Sequence, residues 1–329
     1  QSSVEHLEPT SFTLQVFVHH NNIPVASATV QQPGRERKWY TDENGRVEIE
    51  ISTSVIGELA VSAWSDGYHI RGDELKIDDV DLDDIEPIEI ELEPLPSTDN
   101  IEYQFQHPGT PEINETTNYC SHCHVTINKG WYGTVHQTSA SNSKLWDLYE
   151  GSTQHEEDNC QGEFVDGKCY IAEGVLPSLN NCTNGDCDSS EIENTGHCSN
   201  CHAPGINGLQ EDKDLRLASG ISYEYGVHCD VCHKISEVNL DHDTPGIGGK
   251  LKLLRPSFTG MLFDGSKDLN FGPYRDVLNA RMNSSYRDFY RKPTICAGCH
   301  EYSQNLSLGS YNEEKWPQQK MPAHSTYSE

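Results

Sequence analysis

Cysteine and histidine are the residues of this chain whose number and spacing point most clearly to chemistry. Eight of its twelve cysteines occur in four copies of Cys-x-x-Cys-His, which begin at Cys120, Cys198, Cys229 and Cys296. This pentapeptide is the attachment signature of a c-type haem, with two sulfurs bonded to the porphyrin and the histidine on the iron. Two zinc sites built from paired Cys-x-x-Cys knuckles are the alternative, but such sites need no histidine after every second cysteine.

The four copies therefore predict four haem c groups as cofactors. The predicted covalent attachment residues are Cys120, Cys123, Cys198, Cys201, Cys229, Cys232, Cys296 and Cys299. The predicted proximal ligands of the iron are His124, His202, His233 and His300. The second and third ligands are closest in sequence, 233 − 202 = 31 positions apart, which predicts that their haems form a pair.

The four cysteines outside the motifs predict disulfide bonds. They are Cys160, Cys169, Cys182 and Cys187. Of the three possible pairings we favour the local ones, 160–169 and 182–187, because an Asp-Gly or Asn-Gly turn signal lies between the partners. These bonds would staple an insertion of about residues 152–192. Disulfides and covalent haem both indicate an exported protein, extracellular or on the cell surface, whose signal peptide has been removed.

Charge and hydropathy restrict the partners. The formal net charge is −29, from 52 acidic and 23 basic residues, so nucleic acid and anionic lipid surfaces would be repelled. No apolar run approaches about 18 residues, which predicts that no segment spans a membrane. Two acidic stretches, 78–84 and 186–188, are either calcium sites or solvated acidic faces. Four Asn-x-Ser/Thr sequons predict a glycoprotein, at Asn114, Asn181, Asn283 and Asn305.

Residues 1–96 are predicted to form a small all-β sandwich. Apolar and polar residues alternate in several short segments, as in half-buried strands, at 12–18, 26–30, 46–51, 59–63 and 85–92. Residues 42–45, Asp-Glu-Asn-Gly, predict a hairpin turn between the second and third segments. The P-x-x-x-A-x-V pattern of 24–30, T-D-x-x-G of 41–45 and G-Y of 67–68 resemble carboxypeptidase-regulatory-like, transthyretin-like domains, although Asn22 replaces their common glycine. The resemblance implies adhesion or subunit packing rather than catalysis.

Residues 97–329 are predicted to form a loop-rich tetrahaem domain of coil and short helices. All twelve cysteines lie there, and the periodicity is too poor to predict a conventional core. Four porphyrins would supply apolar surfaces around which such loops pack. The fold class is therefore a small β-sandwich followed by a multihaem domain with the haems as its core.

Several segments of this domain resemble the multihaem c-type cytochromes of extracellular electron transfer. The resemblance rests on residues 225–235 (Y-G-V-H-C-D-V-C-H-K-I), 271–274 (F-G-P-Y) and 294–301 (T-I-C-A-G-C-H-E). The resemblance is strongest to the tetrahaem subunits of extracellular cytochrome filaments. It implies a homopolymer that conducts electrons, with redox proteins or extracellular acceptors as partners. Family members often place a histidine near position 282, where this chain has Met282, so one distal ligand is expected from a neighbouring subunit.

The ligand on the second face of each iron decides between electron transfer and catalysis. Sixteen histidines are enough for two per haem, which favours an electron carrier over an enzyme. Segment 131–140 resembles the W-x-x-S-x-H-x-x-A segment that supplies a distal histidine in such cytochromes. The distal candidates are His136, His228, His197, His324 and His107.

Three other functions stay open. One is a tetrahaem electron shuttle that does not polymerise. Another is a multihaem oxidoreductase acting on a small nitrogen or sulfur compound, which would need a five-coordinate haem. The third is an adhesin in which the haems are structural staples.

Overall fold

The computed structural model of the chain describes residues 11–52, 59–75, 86–153, 157–170, 197–211, 213–257, 268–278, 282–305 and 320–325. They divide into two compact units. The first unit combines the described residues up to 97 with those of 268–290, and the second contains 98–257 and 291–325. The predicted cysteine pair 182–187, the sequon at 181 and both acidic stretches lie outside the described residues.

The N-terminal part of the first unit is built from strands in two sheets. The strands of its N-terminal part are β1 (Ser11–His20), β2 (Ile23–Pro24), β3 (Thr29–Gln31), β4 (Trp39–Tyr40), β5 (Arg46–Ser52), β6 (Leu59–Trp64), β7 (Arg71–Leu75) and β8 (Ile88–Glu91). One sheet has the order β2-β1-β5, with β8 parallel to β1, and the other has the antiparallel order β4-β3-β6-β7. The antiparallel β region predicted for this part of the chain is confirmed.

Alternation along the strands produces the core of this unit. In β1 the buried residues Leu14, Val16 and Val18 alternate with more exposed neighbours, as a strand with one covered face requires. They form one hydrophobic cluster with Val30 of β3 and Val61 of β6, so the two sheets cover each other's apolar faces.

The turn at residues 42–45 is present, but the predicted hairpin is wrong. The side chain of Asp42 accepts the backbone N–H groups of Asn44 and Arg46, which closes the turn. Gly45 has φ +70°, a conformation that other residues rarely adopt. The turn joins β4 to β5, which belong to different sheets, so it is a corner between layers.

Residues 268–290 complete the first unit with β14 (Asn270–Gly272) and β15 (Ser284–Tyr286), which pair in parallel. The backbone N–H of Ile70 donates to the carbonyl of Ser284 at 2.8 Å. The hydroxyl of Ser285 donates to the carbonyl of Tyr68 at 2.8 Å. The domain division predicted from sequence assigned this segment to the haem domain, whereas these bonds join it to the β strands.

The second unit is loop-rich and has seven short helices in its described residues. They are α1 (Cys120–Cys123), α2 (Val125–Trp131), α3 (Ser143–Glu150), α4 (Cys198–His202), α5 (Ile221–Glu224), α6 (Cys229–His233) and α7 (Thr294–His300). The strands are β9 (Ser152–Thr153), β10 (Glu163–Val165), β11 (Lys168–Tyr170), β12 (Ile235–Val238), β13 (Leu251–Leu253), β16 (Glu301–Asn305) and β17 (Lys320–Ser325). The loop-rich character predicted here is confirmed.

Apolar side chains pack parts of the second unit together. One cluster contains Ala140, Tyr149, Ala203, Ile206 and Leu215. A disulfide between Cys160 and Cys169 links the 3₁₀ turn at 157–159 to β11. In the described part of the chain, no helix is both long enough and apolar enough to cross a membrane.

Candidate haem-attachment site

Each Cys-x-x-Cys-His motif occupies about one turn of helix. The second and third motifs are α4 and α6 in full, the fourth ends α7, and the first forms α1 with His124 as its C-terminal cap. Residues three apart lie on the same helix face, so one turn places both sulfurs of a motif side by side. This is the arrangement that two neighbouring thioether bonds to one porphyrin require.

Most of the residues between the cysteines are buried, and the exception is His122 of the first motif, which is exposed. Ser121, Asn200, Val231 and Ala297 are all buried. The eight motif cysteines are half-buried or exposed, and the structure forms no disulfide among them. The short helices are therefore anchored by their middle residues and present their sulfurs on the opposite face.

The four motifs meet through their cysteines. The thiols of Cys120 and Cys229 share a hydrogen bond, and this contact, followed by burial, raises the pKa of Cys120 well above its usual range. Cys299 makes the equivalent contact with Cys201. Cys232 lies within electrostatic range of the fourth motif, and burial raises the pKa of its thiol to about 12. The motifs thus form one cluster: the first contacts the third, the fourth contacts the second, and the third lies within electrostatic range of the fourth.

A cavity of about 330 Å³ opens where three of the motifs converge. Motif residues on its wall are Cys201, His202, Cys232, Cys296, Cys299 and His300. Most of the other lining side chains are apolar, among them Val227, Ile247 and Leu251. An apolar cleft with a few convergent polar groups is the usual form of a cofactor site.

The imidazoles of His136 and His300 both line this cavity and make an edge-type ring contact. Their ring centres are 5.9 Å apart, with an angle of 70° between the ring planes. An imidazole nitrogen lies about 2 Å from a metal it binds, so two rings on opposite sides of one metal have centres roughly 6 Å apart. Burial, and then the charge of His300, lower the pKa of His136 and favour the neutral ring that a metal needs.

Hydrogen bonds fix the loop that carries His136. Its carbonyl accepts the N–H of Val227 at 3.0 Å, and Trp131 Nε1 donates to the carbonyl of Val227 at 2.9 Å. Ser139 Oγ donates to the carbonyl of His202 at 2.6 Å. The loop is therefore tied to the second motif and to the segment before the third motif.

His228, directly before the third motif, is fully buried. Neither of its ring nitrogens has a hydrogen-bond partner among the described residues. Burial lowers its pKa to about 4, so the ring is neutral at pH 7. A Cβ built on Gly205 would come within 2.6 Å of its Nε2, so the glycine leaves the room in front of this nitrogen. A buried orphan imidazole normally has an unseen partner, and a metal ion is one such partner.

The other distal candidates have less geometric support. His107 Nδ1 accepts the N–H of Gly109 at 2.9 Å, which leaves the proton of the neutral ring on Nε2 and blocks iron binding there. His197 is half-buried and caps α4. His324 lies on β17, where only its backbone is described.

Sequence reasoning missed a buried ion pair around the third motif. Lys234 Nζ lies 2.5 Å from Asp230 Oδ1, and the side chains are 0% and 4% exposed. The other oxygen of Asp230 accepts the hydroxyl of Tyr103 at 2.9 Å and the N–H of Gln106 at 2.8 Å. The pair spans the helical turn that bears Cys232 and His233, and ties it to residues 103 and 106.

These residues fit a haem c better than a bare metal ion. Within the described ranges, no group of three or more His, Cys, Asp or Glu side chains is arranged to hold a metal ion. A zinc knuckle pair needs such a group of four. A haem brings its own four nitrogen ligands and needs only a cysteine pair and one or two imidazoles from the protein. The paired sulfurs, the apolar cavity and the orphaned His228 supply those parts.

Comparison with known protein families gives no match, and comparison with curated proteins gives none either. One solved structure shares limited local similarity, a chain of a type II cohesin–X-dockerin complex from Acetivibrio cellulolyticus. It is 18% identical, with a TM-score of 0.18, and the match covers 24% of this chain and 56% of that chain. A similarity this weak carries no argument about fold or function.

Proposed function

We propose that the chain is a tetrahaem c-type cytochrome that carries electrons outside the cell. The main support is that four Cys-x-x-Cys-His turns, far apart in sequence, meet in one cluster with a neutral imidazole in contact with His300. A haem, when bound, supplies an iron that gains and loses one electron. The resemblance of residues 225–235 and 294–301 to extracellular multihaem cytochromes agrees with this proposal.

The protein residues have separate tasks in this proposal. The paired cysteines hold each porphyrin, and the histidine after each pair binds the iron. His136 and His228 are the strongest candidates for second axial ligands, because both are held neutral near motif residues. Apolar walls such as Ile247 and Leu251 exclude water. A site of this kind moves electrons without binding a substrate at the iron.

The contacts between motifs support a continuous path. Since Cys120 contacts Cys229 and Cys201 contacts Cys299, porphyrins attached there would be immediate neighbours. Cys232 lies near the fourth motif and completes the sequence of contacts. Electrons would pass in the order first, third, fourth and second haem, or the reverse.

We also propose that the protein polymerises into a conducting filament. The resemblance to filament subunits supports this, as does the presence of Met282 where relatives often have a histidine. A neighbouring subunit would then supply one distal ligand, and the β unit would serve adhesion or packing. Electron microscopy of concentrated, purified protein tests this step: filaments support it, and monomers alone favour the soluble shuttle.

Axial ligation tests the electron-carrier proposal against the enzyme alternative. Two histidines per iron predict that electron paramagnetic resonance of the oxidised protein shows only low-spin ferric haem. A high-spin signal that changes when nitrite or sulfite is added would favour the oxidoreductase instead.

A further inference from the structure

Arg255 is fully buried yet incompletely bonded. Its side chain is 0% exposed, and Nη2 donates to Asp99 Oδ2 at 2.6 Å and to the carbonyl of Gly208 at 2.8 Å. Nε donates to the same aspartate at 3.0 Å. Nη1 is buried without a hydrogen-bond partner in the described part of the chain. A buried charged donor without an acceptor costs more free energy than a neutral one, so an acceptor is expected at this position.

A second cation converges on the same loop. Lys213 Nζ donates to the carbonyl of Ile206, two residues before the carbonyl that Arg255 binds. Burial, and then the charge of Arg255, lower the pKa of Lys213 to about 8. Asp99 acts on both cations: it pairs with Arg255, and its charge opposes the lowering of the Lys213 pKa. Among the described residues it is the one carboxylate that acts on both.

The position of these cations identifies the missing anion. Their loop follows directly on the second motif, which ends at His202. The guanidinium of Arg255 lies 6.0 Å from the ring of Phe105, which in turn contacts His228 at 5.5 Å between ring centres. Phe105 therefore lies between the guanidinium and the orphan imidazole. The backbone N–H of Leu254, next to Arg255, donates to the carbonyl of Lys234 directly after the third motif at 2.9 Å. Every haem carries two propionate carboxylates, which suit a guanidinium donor.

We propose that Arg255 Nη1 binds a haem propionate, with Lys213 as the second cation of the site. This inference rests on the proposed function, because it needs haem at the neighbouring motifs. The arginine would orient the porphyrin and keep its carboxylate ionised inside the protein. Its positive charge would also stabilise the reduced haem, which carries one more electron than the oxidised haem, and so raise the reduction potential.

Arg255→Gln tests the site in the purified, haem-loaded protein. The readout is the set of midpoint potentials measured by spectroelectrochemistry, together with the number of haems per chain. We expect all four haems to remain attached and one of them to shift to a lower potential. The matched control is Arg216→Gln, because Arg216 forms the same kind of pair with Asp214 but has a side chain 52% exposed.

The outcomes separate the two proposals. Fewer than four haems in the wild-type protein would overturn the proposed function itself. If Arg255→Gln keeps four haems and its set of midpoint potentials is the same as that of Arg216→Gln, only the propionate site is overturned. If Arg255→Gln does not fold, the same potentials are measured in Lys213→Gln, because this variant leaves the ion pair of Arg255 and Asp99 intact. A lower potential of one haem in that variant supports the site, and four unchanged potentials overturn it.

Discussion

The ion pair of Asp230 and Lys234 allows a quantitative test of how the third motif is held. Asp230→Asn preserves the shape of the side chain, and the amide oxygen still accepts bonds from Tyr103 and Gln106. The ammonium of Lys234, 0% exposed, loses its counter-ion. Removing one partner of a buried ion pair costs about 3–5 kcal/mol. In a unit of this size that corresponds to roughly 6–20 °C in melting temperature, at about 2–4 °C per kcal/mol.

The assay is urea unfolding of the purified protein, followed by circular dichroism. Glu237→Gln is the matched control, because its pair with Lys252 is 3.7 Å long and both side chains are more than half exposed. That variant should change the free energy of unfolding by about 0–1 kcal/mol. The double variant Asp230→Asn/Lys234→Met should recover most of the loss, since no unpaired charge stays buried. Equal losses in Asp230→Asn and Glu237→Gln would refute this account of the third motif.

Further predictions concern acid, axial ligation and packing. Burial would raise the pKa of Asp230, but Lys234 and the bonds from its neighbours outweigh burial and hold this pKa below its usual range. The stability that the ionised carboxylate contributes is therefore complete above about pH 4 and is lost as the pH falls through the lowered pKa. The difference in free energy of unfolding between the wild type and Asp230→Asn should shrink below about pH 4. A difference that grows in acid would contradict this. His136→Ala should leave four haems attached but add a high-spin signal in paramagnetic resonance, and a fully low-spin spectrum would show that His136 is no ligand. Gly205→Ala should destabilise the protein by about 1–3 kcal/mol in thermal unfolding, because its Cβ meets the buried ring of His228. Gly130→Ala is the control, because nothing lies close to a Cβ at this position, and it should not lower the thermal stability. Equal losses of stability in Gly205→Ala and Gly130→Ala would exclude the steric explanation.

Local sequence patterns predict the parts of this fold that depend on neighbouring residues. The alternation at 12–18 and 46–51 predicts β1 and β5, because one covered sheet face imposes a period of two. The turn at 42–45 is equally local, but its sequence does not say which strands it joins. Sheet membership depends on pairings with distant strands, and this is why the hairpin prediction failed.

Non-local contacts account for what sequence reasoning could not find. Asp99 and Arg255 are 156 positions apart, and nothing in either segment signals their bidentate pair. Asp230 is one of two variable residues inside a motif, so its part in a buried ion pair is visible only in three dimensions. The three-residue strands at 270–272 and 284–286 are too short for a period to be recognised. The local segment 131–140 makes His136 a candidate ligand, but its contact with His300 depends on folding.

Counting covalent haems tests the central claim most directly. The protein should be produced in a host with c-type haem attachment, and the haem measured as its pyridine complex against protein mass. Intact mass spectrometry should give the chain plus four haems, with both cysteines of all four motifs modified in peptide maps. A chain without covalent haem that instead holds zinc would contradict the account.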